Sequence, residues 1–88
     1  MKTVLITGAS SGVAQAISKR LKKDGWRRLQ VSRELAKLDP SLGGAIAADV
    51  STEAGAVLAV EAAIQAFGQV PDALVNCAGN TLIAPISR

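Results

Sequence analysis

The feature that most constrains this chain is how its N-terminal stretch is built. Thr3-Val4-Leu5-Ile6-Thr7 is an unbroken run of apolar and β-branched residues that stops at Gly8. Such a run reads as a strand covered on both faces, the usual situation in a parallel sheet. A turn of small residues follows, Gly8-Ala9-Ser10-Ser11-Gly12, and then a helical pattern over Val13–Lys23. Val13, Ile17 and Leu21 recur every four residues, with Ala14 beside the first. Lys19, Arg20, Lys22 and Lys23 lie toward the far end, where basic side chains suit the helix dipole, and Gly25 stands where a C-cap is expected. A glycine-rich turn that leaves a strand and opens a helix is built to bind phosphate. Its N–H groups point outward, and the helix start adds about half a positive charge. Lysine and Ser/Thr do not follow Gly12, so the turn is not a nucleoside-triphosphate P-loop.

The alternation continues downstream. Leu29–Ser32 reads as a short second strand, with Gln30 an anomaly if both faces are covered. Arg33–Leu38 allows one or two helical turns, and Asp39-Pro40 ends them. Gly44–Ala48 reads as a third strand, closed by Asp49-Val50. A helix over Thr52–Phe67 follows, with Asp49 or Ser51 available to cap it and Gly68 to end it. Its apolar residues Val57, Val60, Ile64 and Phe67 fall at helical spacing. Ala73–Asn76 is the fourth strand, and Asn80–Arg88 has no clear periodicity. Strands and helices in this order predict an α/β fold with a parallel sheet and right-handed crossovers, in one domain over 1–88.

Composition removes several functions. One cysteine excludes an internal disulfide, and one cysteine with no histidine excludes a zinc site of ordinary ligand type. Histidine and tyrosine, two of the commonest acid–base residues, are both absent. The first apolar run is too short for a signal peptide, and none approaches a membrane span, so the expected compartment is the cytosol. Residues 1–33 carry eight basic groups and one acid, whereas residues 34–88 carry two basic groups and six acids. The basic cluster Lys19–Arg33 has Trp26 as its one aromatic neighbour. A solvated helix face is therefore expected, rather than a nucleic-acid patch.

Thr7-Gly8-Ala9-Ser10-Ser11-Gly12-Val13-Ala14 is a TGxxxGxA pattern. Together with Asp49-Val50 after the third strand and Asn76-Cys77-Ala78-Gly79 after the fourth, it closely resembles the short-chain dehydrogenase/reductase family. That family carries TGxxxGxG, an Asp with a small apolar residue, and an NNAG motif at those places. The resemblance implies a Rossmann-like parallel sheet of about four strands in the order 3-2-1-4, helices on both faces, and truncation relative to the family. Ala14 in place of the third glycine implies weakened helix packing rather than lost binding. Cys77 replaces the second Asn of the last motif and is read as a small buried hydrophobe.

The same resemblance assigns a nicotinamide dinucleotide to the chain. Gly8, Ser10, Gly12 and Val13 would line its pyrophosphate and adenosine ribose, with Ser11 in the same turn. Asp49 would accept from the adenine amino group, and the Val50 backbone would meet the ring edge. Asn76, Ala78 and Gly79 would lie along the ribose side. The end of the second strand reads Ser32-Arg33, without the acid that holds a free 2′-hydroxyl. A guanidinium pairs with phosphate bidentately, and a serine hydroxyl adds a bond, so NADP is favoured. NAD stays open through Glu34.

By the same resemblance, hydride transfer in the family uses a tyrosine four residues before a lysine, in a region after the fourth strand. This sequence has no tyrosine. The expectation is therefore a cofactor-binding module with no catalytic residue of its own. Two alternatives are an oxidoreductase whose catalytic half lies elsewhere and a vestigial protein that binds nothing. The fourth strand would be an open sheet edge, so a homo-oligomer is expected through that edge or through the 52–67 helix.

Overall fold

The computed structural model describes residues 2–38, 41 and 43–77, and the backbone of 82–85. Strand β1 (Thr3–Thr7) leads into helix α1 (Gly12–Lys23), and β2 (Arg27–Ser32) is followed by one 3-10 turn at Leu35–Lys37. Then come β3 (Gly44–Ala47), helix α2 (Glu53–Phe67), β4 (Ala73–Asn76) and β5 (Leu82–Pro85). The sheet order is β3-β2-β1-β4-β5. The first four strands are parallel, with Thr3 opposite Arg27 and Val4 opposite Ala73. The expected 3-2-1-4 order is therefore present.

The continuous apolar run of β1 follows from its central place. Its side chains alternate between faces, as in any strand. Val4 and Ile6 join Ala14 of α1 and Val75 of β4 in one buried cluster. Leu5 joins Leu29, Val31, Ala59 and Ala63 in a second, beneath α2. The helices thus cover opposite faces, and both faces of β1 need apolar residues. Each fully buried side chain of this kind contributes about 1.5–3 kcal/mol.

Ala14 is completely buried within the first cluster, so the core accommodates its methyl group without opening a gap to solvent. Gln30 is also completely buried, and its amide Nε2 donates to the Gly43 carbonyl at 3.4 Å. This buried polar residue ties β2 to the segment entering β3.

Three expectations change, and one gains its structural basis. First, β4 is not an open edge, because β5 pairs with it antiparallel, placing Leu82 opposite Asn76. Second, the stripe of Val57, Val60 and Ile64 is open as expected, because α2 docks instead through Ala59 and Ala63, one turn apart, which let the helix lie close to the sheet. Val57, Leu58, Val60 and Ile64 consequently face outward and are roughly half exposed. Third, the cap of α2 is Thr52, whose side chain accepts from the Gly55 N–H at 3.0 Å. Ser51 and Asp49 are engaged with each other instead. Fourth, β2 begins at Arg27, because Arg27 and Arg28 pair with Thr3 and Val4.

The basic cluster makes local ties. Arg20 pairs with Asp24 at 3.1 Å, Lys22 donates to the Ser41 carbonyl at 2.9 Å, and Arg27 donates to the Ala66 carbonyl at 2.9 Å. No helix among the described residues is long and apolar enough to cross a membrane.

Candidate functional site

A cleft of about 370 Å³ opens at the carboxyl ends of the parallel strands. Ligands of open α/β sheets bind at this end, because the loops there carry the helix starts. Three of these connections and the end of β4 build the walls.

The first wall is the turn after β1. Gly8 has φ of 61°, a left-handed conformation that a side chain rarely adopts. The Ala9 N–H donates to the Val31 carbonyl at 3.0 Å, which binds the turn to β2. Ser11 caps α1, its hydroxyl accepting from the Ala14 N–H at 3.1 Å. Gly8, Ser10 and Ser11 line the cleft. Gly12 and Val13 stand beside it, exposed, as the first two residues of α1. A Cβ built on Gly12 would meet no protein atom within 4 Å. The first turn of α1 contains no acid, so nothing local offsets the positive end of its dipole.

The second wall is the end of β2. Ser32 and Arg33 both line the cleft, joined by Glu34 and Lys37. The Ser32 hydroxyl accepts from the Glu34 N–H at 3.4 Å. Lys37 Nζ lies 3.4 Å from the Glu34 carboxylate, with both side chains mostly exposed. Sequence reasoning passed over Lys37. Only the tight 3-10 turn brings it back over the strand end, and a one- or two-turn helix leaves its direction undefined.

The third wall is the turn after β3, with Asp49 and Val50 in the lining. One carboxylate oxygen of Asp49 accepts from the Ser51 hydroxyl at 2.6 Å and the Ser51 N–H at 3.0 Å. These two bonds, the hydroxyl foremost, hold the Asp49 carboxyl below its ordinary pKa. The positive charge of Arg33 adds a smaller push in the same direction. Asp49 is thus an oriented carboxylate within electrostatic reach of the basic wall.

At the end of β4, the Thr7 hydroxyl donates to Asn76 Oδ1 at 2.9 Å, fixing the Asn76 amide against β1. Asn76 does not line the cleft, whereas Cys77 does. Cys77 is half-buried and packs against the cluster of Val4 and Ile6, and its N–H donates to the Thr7 carbonyl at 3.0 Å. Ala78 and Gly79 lie outside the described residues. Among the described residues, no group of three or more His, Cys, Asp or Glu side chains gathers as a metal site.

The arrangement has the parts for an anionic, hydrogen-bonding ligand. A helix start with open space over its glycine faces it from one side. Two cations come from the second, and an oriented carboxylate from the third.

Known proteins match this geometry and sequence. The family described as short chain dehydrogenase matches residues 2–88. Serine 3-dehydrogenase of Agrobacterium fabrum is 38% identical over 86 residues, which cover 91% of this chain and 34% of that protein. A 3-ketoacyl-(acyl-carrier-protein) reductase from Brucella melitensis, complexed with NADH, is 42% identical with a TM-score of 0.76. That match covers 84% of this chain and 32% of the other. L-Sorbose reductase from Gluconobacter frateurii, complexed with NADPH and L-sorbose, is 35% identical with a TM-score of 0.81. It covers 90% of this chain and 34% of the other. The chain therefore spans about a third of the length of the proteins it matches.

Proposed function

The chain belongs to the short-chain dehydrogenase family, and from that premise we propose that its cleft binds the adenosine half of a nicotinamide dinucleotide, with NADP preferred over NAD. The carrying observation is the convergence of the β1 turn, Arg33 and Asp49 on one cleft. The pyrophosphate approaches over Gly12, where a Cβ would meet nothing, and takes the N–H groups of the α1 start. Asp49 accepts from the adenine amino group, and the Val50 backbone meets the ring edge. By the family's motif, Asn76, Ala78 and Gly79 would lie along the ribose side. Arg33 and Ser32 receive the 2′-phosphate, and Lys37 adds a second cation. Glu34 opposes this preference, but Lys37 lies against its carboxylate.

Calorimetric titration with NADP and NAD tests the reading. Tighter binding of NADP supports it. Tighter binding of NAD removes the preference and keeps the site, while no binding of either cofactor overturns the site as well. In a longer protein, the same segment would supply the cofactor half of a carbonyl or alcohol hydride transfer, since the chain itself contains no tyrosine.

We further propose that the chain self-associates through α2. Pairing by β5 removes the β4 edge as a surface. Val57, Leu58, Val60 and Ile64 remain as a contiguous outward face that a second copy would cover. Sedimentation at rising concentration should reveal a dimer that Val60→Lys dissolves. A monomer at every concentration overturns this.

A further inference from the structure

Gly55 touches none of the cleft, yet its surroundings explain how the third wall is held. It is the third residue of α2, and its φ is not positive. The backbone there thus makes no demand for glycine, and intrinsic helix preference favours alanine. Space makes the demand instead. A Cβ on Gly55 would overlap the Asp49 carbonyl oxygen, lie 2.5 Å from the Asp49 carbonyl carbon and lie 2.9 Å from Thr52 Oγ1.

None of these atoms can yield easily. The Asp49 carbonyl accepts from the Thr52 N–H at 3.2 Å and from the Thr52 hydroxyl at 2.9 Å. The same hydroxyl accepts from the Gly55 N–H at 3.0 Å. Thr52 therefore stitches the Asp49 carbonyl to the first turn of α2, directly over the bare Cα of Gly55. No cis peptide occurs among the described residues. In a trans peptide the C=O and N–H point opposite ways. With the Asp49 carbonyl drawn toward α2, the Val50 N–H is turned away from the helix. The Ser51 bonds to the Asp49 carboxylate, at 2.6 and 3.0 Å, lie in the same turn.

We infer that Gly55 is a positioning residue for the cleft: by lacking a Cβ it lets the Asp49 carbonyl rest on α2, and this fixes the direction of the Asp49–Val50 peptide and of the Asp49 carboxylate. The consequence for cofactor affinity rests on the proposed function; the geometry does not.

The test is a carboxyl-carbon NMR titration of Asp49 in the 88-residue chain, beside amide shifts and NADP affinity. It compares wild type with Gly55→Ala, Thr52→Ala and Thr52→Ser. Asp49 should titrate below the ordinary carboxylate range in wild type and Thr52→Ser, and rise toward that range in the other two. Amide changes should concentrate at residues 49–52, with β1 unmoved. NADP affinity should fall roughly tenfold in Gly55→Ala and Thr52→Ala, about the loss of one oriented hydrogen bond, and recover in Thr52→Ser. A folded Gly55→Ala with Asp49 titration and loop amides unchanged overturns the inference. If Gly55→Ala fails to fold, the Thr52 pair decides. A rise in Thr52→Ala with rescue in Thr52→Ser supports the inference, and no change in Thr52→Ala overturns it. A wild type that binds no NADP removes the cofactor reading, and the Asp49 titration still judges Gly55.

Discussion

Gly12 and Gly55 each stand in the first turn of a helix that follows a strand, and the molecule uses them in opposite ways. Over Gly12 there is open space; over Gly55 lies the molecule's own backbone. The helix starts differ in charge to match. The first turn of α1 has no acid, whereas that of α2 holds Glu53. The α2 dipole is thus partly offset from within, and that of α1 is left for something outside. The contrast separates a helix start built to receive a ligand from one built to hold a neighbouring loop.

Alanine at each position breaks this contrast most directly. Gly55→Ala should have the largest effect, because the overlap with the Asp49 backbone outweighs the gain in helix preference. Overpacking of this kind costs about 1–3 kcal/mol, and thermal or denaturant unfolding would measure it. Gly12→Ala should have the opposite signature. Relieving glycine entropy at an unstrained, exposed site stabilises by about 0.4–1 kcal/mol. In a domain of this size, 1 kcal/mol moves Tm by roughly 4–8 °C. NADP affinity should nevertheless fall, since the methyl group would occupy the approach to the α1 start. A Gly12→Ala chain that is more stable and binds NADP as tightly as wild type would show that the open space serves no ligand.

Smaller effects sharpen the comparison. Arg33→Ala should weaken NADP roughly tenfold and leave NAD nearly unchanged, as expected for one charge-assisted contact. Calorimetry with both cofactors reads it directly. The smallest effect concerns pH. The folded Asp49 carboxyl has a lowered pKa, chiefly through the Ser51 hydroxyl. Its contribution to stability is therefore present above the unfolded carboxylate range and lost as pH falls through the folded value. The Tm difference between wild type and Ser51→Ala should shrink to nothing in strong acid. A difference that persists there would mean Ser51 acts other than through the charged carboxylate.

Much of this arrangement was legible in the sequence. Thr3–Thr7 announced a doubly covered strand, and Gly8, Asp49 and Asn76 marked three strand ends, because glycine turns and apolar runs are local signals. Beyond the strand order, tertiary features were less legible. The spacing of Val57, Val60 and Ile64 gave the period of α2 but not its docked face, which two alanines decide. Leu82–Pro85 has no alternation to identify it as a strand. Its place comes from pairing with β4. Nothing local singles out Gly55, since the atom that excludes a side chain there belongs to Asp49, before the helix begins. Thr52 displaced Ser51 and Asp49 as the cap for a related reason, as the latter two bond each other.

The hydrogen bonds that join β1 to β4 bear on how the chain acquires this structure. The Asp72 carboxylate accepts from the Thr3 N–H at 2.8 Å, and the Thr7 hydroxyl donates to Asn76 at 2.9 Å. Both links span 69 positions, one at each end of β1. The strand synthesised first is therefore among the last to gain its full set of neighbours. Until β4 arrives, this strand, buried along its whole length in the finished sheet, pairs with β2 alone and offers its other edge to any extended segment nearby. Late closure of so long a loop slows folding relative to local hairpins or helices. The sheet therefore gains a closed centre only when Asp72–Asn76 reaches the free edge of β1.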